Sequence, residues 1–392
     1  MKVALLTGGK DPHYARGLGR ALAREGVHVA MVGGPQEMVV VETGPGRVVL
    51  HDLVGDQDPM AGWLAKATRV MKYYIALLIF IARTDVRLFH ILWFRKFPQV
   101  ERVLLPLYVK LLGKKLAFTA HNVDDHARDG RAGGLVYKLS LRCLYSRADH
   151  LFVHTESMKL ELSAEFGIEQ NRVTVVPLGI NDVIPAATTT RSIAREKLGF
   201  DLDARVLLFF GNIAPYKGVE DLIRALGELV RDDDRFTVVL VGRVRNRSCR
   251  GYWHELEHLI AKLSIADHVR KEVRYVPDGE VGLFFRAADV SILPYRRIYQ
   301  SGVLGLSFAQ GLPVIAADVG SMKEDVVEGE TGLLFRSGDA GDLAAKIRIY
   351  FGSDLFKDLE VRRAKIIAYG GERFSWNSNA ARTYATYESL LR

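Results

Sequence analysis

A lysine enclosed by glycines is the most chemically pointed feature of the chain. The apolar run 206–210 is followed by Gly211-Asn212-Ile213-Ala214-Pro215-Tyr216-Lys217-Gly218. A buried strand, a glycine-closed loop and a lysine at a helix start place an ammonium where a helix N-terminus already favours anions. Further on, Leu293-Pro294-Tyr295 leads through Gln300-Ser301-Gly302-Val303-Leu304 into another helix start. The small residues there let the main-chain N–H groups of 301–304 approach a phosphate. In the first half, Thr119-Ala120-His121-Asn122-Val123 sets a histidine just past a strand, with Asp124, Asp125 and His126 beside it. Gly8-Gly9 close the first strand, and His13 and Arg16 lie in the stretch 10–19 that follows, read as a loop. The acidic run Asp232-Asp233-Asp234 reads as a solvated turn.

The elements that must position these residues alternate. Strands are expected at 3–6, 27–32, 86–92, 115–119, 151–153 and 173–176, with helices at 17–24, 99–112 and 133–147 between them. Alternation of this kind implies a parallel, doubly wound sheet. The stretch 181–192, with no periodicity, reads as a linker. Beyond it the scheme repeats: strands at 206–210, 237–241, 290–293, 313–316 and 332–335, and helices at 219–229, near 252–263 and near 303–309. The expected architecture is α/β: two facing Rossmann-like domains with a cleft between them, 1–182 and 183–374. The last helix, 375–392, crosses back onto the first domain. Such sheets bind ligands beyond the carboxyl ends of their strands.

Composition narrows the class. The chain has 392 residues, 48% hydrophobic and 26% charged, enough for two sizeable cores. The two cysteines, Cys143 and Cys249, are too few for a disulfide scaffold or a zinc cluster and fit a cytoplasmic setting. The first residues read as a strand, not a signal peptide, and no apolar run reaches the ~20 residues of a spanning helix. The net charge is +8. Its centre is 66–115, where eleven basic residues face only Asp85 and Glu101, among Tyr73, Tyr74, Phe80, Trp93 and Phe94 and just after Trp63. Cations beside aromatic and aliphatic side chains suit an anionic membrane surface. A buried helix with solvated ends is the plain alternative. No nucleic-acid-binding motif accompanies the charge.

The ordered motifs resemble the retaining nucleotide-sugar glycosyltransferases of family 4, which have the GT-B fold. Residues 211–218, Ala288-Asp289-Val290-Ser291-Ile292-Leu293-Pro294, the run 311–316 and Glu328-Gly329-Glu330-Thr331-Gly332-Leu333 each resemble a family motif, in the family's order. The resemblance implies a diphosphate-binding role for Lys217, aided by the loop at Asn212, by 301–304 and by Gly9. It implies nucleotide contacts near Tyr275 and Val276 and a histidine, His121, beside the donor sugar and the breaking bond. Asn122, Asp124 and His13 become candidates for sugar or acceptor contact. Two departures stand out. Asn212 replaces the family's arginine, so Arg243, Arg296 or Arg297 must supply the cation; and the family's paired glutamates fall at Ile298 and Leu306.

The resemblance thus implies transfer of a hexose from a UDP- or GDP-sugar to an acceptor hydroxyl, with retention and without metal or other cofactor. Combined with the basic window, it suggests an oligosaccharide or polyprenyl-linked acceptor in bacterial exopolysaccharide or cell-surface glycan assembly, with peripheral contact to the inner face of the plasma membrane. Two alternatives remain: a nucleotide-sugar-binding partner subunit with impaired catalysis, suggested by the missing glutamates, and a sugar-nucleotide epimerase of the same fold.

Overall fold

A computed structural model describes residues 1–38, 44–55, 57, 58, 60, 62–128, 133–180, 184 and 189–392, and the side chains of 127 and 128 are left aside. Most of the predicted linker 181–192 and the proposed boundary at 182/183 lie outside these residues. The chain divides into two compact units: Met1–Ala127, Arg131–Gly179 and Ser375–Arg392 in one, Arg128–Gly130 and Ile180–Phe374 in the other.

The first unit runs β1 (Lys2–Leu6), α1 (Pro12–Arg24), β2 (His28–Gly33), β3 (Arg47–Asp52), α2 (Trp63–Arg83), β4 (Leu88–Ile91), α3 (Pro98–Leu111), β5 (Lys115–Thr119), α4 (Asp125–Arg128), α5 (Leu135–Arg147), β6 (His150–Val153), α6 (Glu156–Phe166) and β7 (Val173–Val175). Its seven strands form one parallel sheet in the order β3-β2-β1-β4-β5-β6-β7. The second unit runs α7 (Arg191–Leu198), β8 (Arg205–Phe210), α8 (Val219–Leu229), β9 (Phe236–Val241), α9 (Arg250–Lys262), β10 (Val269–Glu272), α10 (Asp278–Ala287), β11 (Val290–Leu293), α11 (Gly302–Ala309), β12 (Val314–Ala317), α12 (Met322–Asp325), β13 (Gly332–Phe335), α13 (Ala340–Gly352), α14 (Asp354–Lys357) and α15 (Leu359–Arg373). Its six strands are also parallel, in the order β10-β9-β8-β11-β12-β13. The final helix, α16 (Trp376–Leu391), belongs to the first unit.

The central strands are buried along their whole length, as β4, β6, β11 and β12 show. Such runs are what a parallel sheet covered by helices on both faces requires. The edge strand β3 is half exposed, and its apolar run is only Val48-Val49-Leu50 between charged and polar ends. Tyr14, Ala15, Leu18 and Leu22 of α1 pack in the first core with Ala380 and Tyr387 of α16. The ring of Trp376 fills the space a Cβ on Gly17 would need.

The stretch 10–19, expected to be a loop, is mostly helix. Asp11 takes a left-handed conformation, its carboxylate accepts from the Tyr14 amide, and Pro12 opens the first turn. A capping side chain and a proline at the first position start α1 five residues earlier than expected. On α2, Tyr73, Leu77 and Ile81 form the buried face, whereas Trp63, Leu64, Met71, Ile75, Leu78 and Ile79 are exposed. The basic window is therefore not a wholly buried helix. Among the described residues no helix is long and apolar enough to cross a membrane.

Asp289, in the run 288–294 that resembles a family motif, ties together buried parts of the second unit. It is fully buried, and its carboxylate bonds Arg191 at 2.6 Å, Arg195 at 2.8 Å and the Val206 amide at 2.8 Å. The acidic turn is structural as well: hydrogen bonding from Arg235 holds the Asp233 carboxyl down at about 2.

Candidate functional site

In the second sheet the strand order reverses between β8 and β11. Ligands of doubly wound sheets settle at the carboxyl ends of the strands at such a point. The loops leaving these two strands meet there backbone to backbone. Gly218 has φ 62°, and a Cβ on it would stand 2.0 Å from the Pro294 carbonyl oxygen. The Arg296 amide donates to the Tyr216 carbonyl at 2.9 Å. Only glycine supplies both that conformation and that approach.

This contact fixes Lys217. The residue ends the short turn Pro215–Lys217 and is 6% exposed. Its ammonium lies 3.8 Å from the centre of the Tyr295 ring and 5.6 Å from that of Tyr216. A desolvated cation over an aromatic face gains ~2 kcal/mol, enough to hold an extended side chain in one orientation. Tyr295 is fully buried, and its hydroxyl is 3.3 Å from Ser301 Oγ. Burial pushes that phenol's pKa up, so it stays neutral. Ser301 caps α11 by accepting from the Leu304 amide at 3.3 Å. The expected set 301–304 therefore narrows. The Leu304 N–H is engaged by the cap, and the amides of Gly302 and Val303 are the ones left at the helix start. A Cβ on Gly211 would be 3.4 Å from Val303 Cγ2, so the glycine loop borders these amides.

Other expected residues fare differently. Asn212 is exposed beside this loop, and Arg243 is exposed after β9. Arg296, a candidate replacement cation, is held by Glu220 at 3.1 Å and Asp221 at 2.8 Å, which already offset its charge. Arg297 is exposed. Arg245 was missed. Its guanidinium lies 5.4 Å from the Tyr216 ring, and its amide donates to the Ile213 carbonyl at 3.1 Å. The bridge between Ile213 and Val244 brings it beside the Lys217 loop, a pairing invisible in sequence. Tyr275 is exposed and Val276 buried between β10 and α10. Leu306 packs in an apolar cluster, and the Ile298 carbonyl lies against Gly320. The family's glutamate positions are thus occupied by apolar packing and by a backbone contact.

In the first sheet the order reverses between β1 and β4. Gly8 follows β1 with φ 60°, and a Cβ on it would be 2.9 Å from the Trp93 carbonyl oxygen beyond β4. Gly9 lines a cavity of about 400 Å³ with Gly34, Glu37 and Val54. Glu37 is buried, accepting from Thr7 Oγ1 at 2.7 Å and the Gly34 amide at 2.8 Å. Burial raises its carboxyl pKa. His13 sits on the first turn of α1, with Arg16 Nη2 donating to its Nδ1 at 3.1 Å.

His121, just beyond β5, stacks on Trp93 with ring centres 3.9 Å apart and planes 6° from parallel. Tyr14 meets it edge-on. Its Nδ1 is 2.9 Å from His154 Nε2, and His154 Nδ1 is 2.8 Å from the Val176 carbonyl. A carbonyl only accepts, so His154 carries its proton on Nδ1. Burial lowers the His154 pKa to about 4, so its Nε2 accepts. His121 then donates from Nδ1 to His154. Burial, then the neighbouring His154, pushes the His121 pKa well down and keeps the ring neutral. His121 also lines a small cavity of about 110 Å³ with Lys10, Arg102 and Asn122. Asn122 donates to Asp125 at 2.8 Å. Asp124 is buried and accepts from the His126 amide at 2.8 Å and the Tyr137 hydroxyl at 3.0 Å, bonds that brace the loop.

Residues 190–370 match the family described as Glycosyl transferases group 1, and residues 12–179 match the Glycosyl transferase 4-like domain. The chain is similar to a D-inositol 3-phosphate glycosyltransferase of Geodermatophilus obscurus, 32% identical over 62% of this chain and 53% of that one. One from Thermobispora bispora is 33% identical over 62% and 56%. The chain thus spans little more than half the length of these curated relatives. Anabaena HepE, solved in complex with UDP, has the same fold at a TM-score of 0.75 and 18% identity, covering 100% of both chains. Sucrose-phosphate synthase from Thermosynechococcus elongatus does so at 0.71 and 21%, covering 100% of this chain and 99% of that one.

Proposed function

The chain belongs to the group 1 glycosyl transferases of family 4 type, with the GT-B fold, and on that premise we propose that it moves a hexose from a nucleoside diphosphate sugar to an acceptor hydroxyl, with retention of anomeric configuration. The observation that carries the proposal is Lys217, desolvated over Tyr295 where the loops after β8 and β11 meet. In this reading the ammonium and the amides of Gly302 and Val303 hold the diphosphate. Arg245, with Arg243 farther out, supplies the charge that Asn212 lacks. Tyr275 and Val276 offer main-chain groups to the base. Preorganised donors of this kind stabilise charge as the diphosphate departs. The nucleophile is the acceptor hydroxyl, and its proton passes to the leaving phosphate on the same face.

The first unit is assigned the acceptor. Neutral His121 and Asn122 line one of its cavities and Gly9 another, and they, with His13 on the first turn of α1, are the candidates for sugar or acceptor contact. HepE, of the same fold and solved with UDP bound, supports a nucleotide donor. The exposed apolar residues of α2 and α3, flanked by Lys66, Arg69 and Lys72, support an acceptor presented at an anionic membrane. Exopolysaccharide or surface-glycan assembly is the setting this suggests.

Radiolabelled donor turnover tests the enzyme reading. Lys217→Ala is expected to lower kcat at least a hundredfold, as removal of one charge-stabilising donor does. An unchanged kcat would overturn it. The apolar environment of Leu306 favours a second reading, a nucleotide-sugar-binding subunit without catalysis. Binding of UDP or GDP with no turnover in any acceptor mixture would select that reading. Flotation with anionic liposomes at low salt tests the membrane reading, and a chain that stays in the aqueous fraction would end it.

A further inference from the structure

We propose that the cavity between α3, the Asp125-His126 turn and the start of α5 is an anion site that holds a phosphoryl group of the acceptor, with Arg102 as its principal ligand. The proposal rests on the transferase reading and names a part of its acceptor. The cavity has a volume of about 370 Å³, and its walls include Lys96, Phe97, Arg102, Asp125, His126 and Tyr137.

Arg102 is 7% exposed, and its Nε and Nη1 are buried without a hydrogen-bond partner among the described residues. Its Nη2 is 3.8 Å from Asp125 Oδ2, beyond hydrogen-bond reach, and its guanidinium lies 4.9 Å from the Tyr137 ring centre. Buried polar groups in folded proteins nearly always have partners, and an arginine cannot shed its charge to avoid the need. The two orphaned donors of a permanently charged guanidinium, Nε–H and Nη1–H, point to different sides of it, and each calls for an anionic oxygen of the kind a phosphate carries. A second orphan points the same way. The ring of His126 stacks on Tyr137 at 3.9 Å, and its Nδ1 is buried without a partner among the described residues. Lys96 adds a cation at the mouth, where it is exposed.

The loop that enters α3 does not itself supply the site. Glu101 already accepts from the amides of Arg95, Lys96 and Phe97. The local carboxylates leave the two orphaned donors unmet: Asp124 is turned to Tyr137 and the His126 amide, and Asp125 gives Oδ1 to Asn122 while its Oδ2 faces Arg102 Nη2 at ion-pair distance, 3.8 Å. Arg102 also lines the smaller cavity that contains His121, so a phosphoryl group on Arg102 places the rest of its molecule next to that histidine. Phe97 and Val100, at the rim, are more than half exposed and apolar. The same phosphoryl chemistry could come from a lipid-linked carrier or from a soluble sugar phosphate.

The test is titration of the full chain by calorimetry with two probes: inorganic pyrophosphate in solution, and phosphatidylcholine vesicles containing undecaprenyl phosphate, with plain phosphatidylcholine vesicles as the blank. Saturable binding of either probe is expected, weakened roughly tenfold to a hundredfold in Arg102→Gln and less in Lys96→Ala. Tighter binding of the vesicles assigns the carrier to lipid, and tighter binding of pyrophosphate to a soluble acceptor; both support the site. Binding of neither probe, or binding unaltered in both variants, overturns it. Lys96 is exposed, so its variant reports even where Arg102→Gln fails to fold. UDP binding, measured in parallel, is expected to be unchanged in both variants. If UDP is not bound while Arg102-dependent phosphate binding persists, the transferase reading falls and the anion site stands.

Discussion

Replacing Asp289 by asparagine separates what holds the second unit together from what it binds. The carboxylate is fully buried and takes hydrogen bonds from Arg191 Nε at 3.0 Å, Arg191 Nη2 at 2.6 Å, Arg195 Nη2 at 2.8 Å and the Val206 amide at 2.8 Å. Arg195 is itself fully buried and is anchored on the carbonyls of Ala287, Asp201, Leu202 and Ala204. Those carbonyls orient its guanidinium but do not neutralise it. In the Asp289→Asn variant the side chain would keep one acceptor and turn an amide N–H toward a cation, leaving that cation buried and uncompensated. Breaking one side of such a pair costs about 3–5 kcal/mol. For a domain of roughly 200 residues this is about 6–20 °C in Tm. Asp289 precedes β11, whereas Tyr295 follows it, a strand of four residues or ~13 Å away. Far-UV circular dichroism melts should therefore show the loss in full, whereas UDP affinity measured well below the transition stays within twofold. A fall of less than ~2 °C, or a large loss of nucleotide affinity in a protein that melts normally, would refute this assignment.

Gly218→Ala should displace the Lys217 turn, because its Cβ would stand 2.0 Å from the Pro294 oxygen at φ 62°. The backbone conformation alone costs ~1–2 kcal/mol, and a thermal-shift titration should show UDP stabilisation lost along with a lower Tm. Stability should also depend on acid. Burial holds His154 at about 4 and His90 at about 3, against an ordinary 6.5. The unfolded chain then binds more protons between these values and 6.5. Stability is fully present above pH 6.5 and falls as the pH drops toward 4, His154 contributing on the order of 3 kcal/mol. Tm measured against pH should fall across this window and flatten partly in His154→Gln; a level profile would contradict the neutral relay.

The order of strands and helices was readable because parallel strands buried on both faces leave unbroken apolar runs, as at β8 and β11. Lys217 and Ser301 were readable for a related reason: glycine and small residues mark places where the backbone must come close. β3 was not, being half exposed at an edge. Arg245 and Tyr295 gained their roles from loops meeting in space, and Arg102 from what surrounds it, neither of which leaves a local pattern. Asp289 shows the converse. In this chain the motif's aspartate ties Arg191 and Arg195 and the Val206 amide, a structural part that the sequence pattern did not reveal.

Glu101 has a consequence for how the surface of the first unit communicates with its interior. Its carboxylate grips the amides of Arg95, Lys96 and Phe97 and also takes the Tyr74 hydroxyl of α2 at 2.6 Å. One side chain therefore fastens the partly greasy outer helix to the segment carrying Lys96. The same carboxylate that orders the loop ahead of α3 thus also sets where Lys96 stands at the cavity mouth.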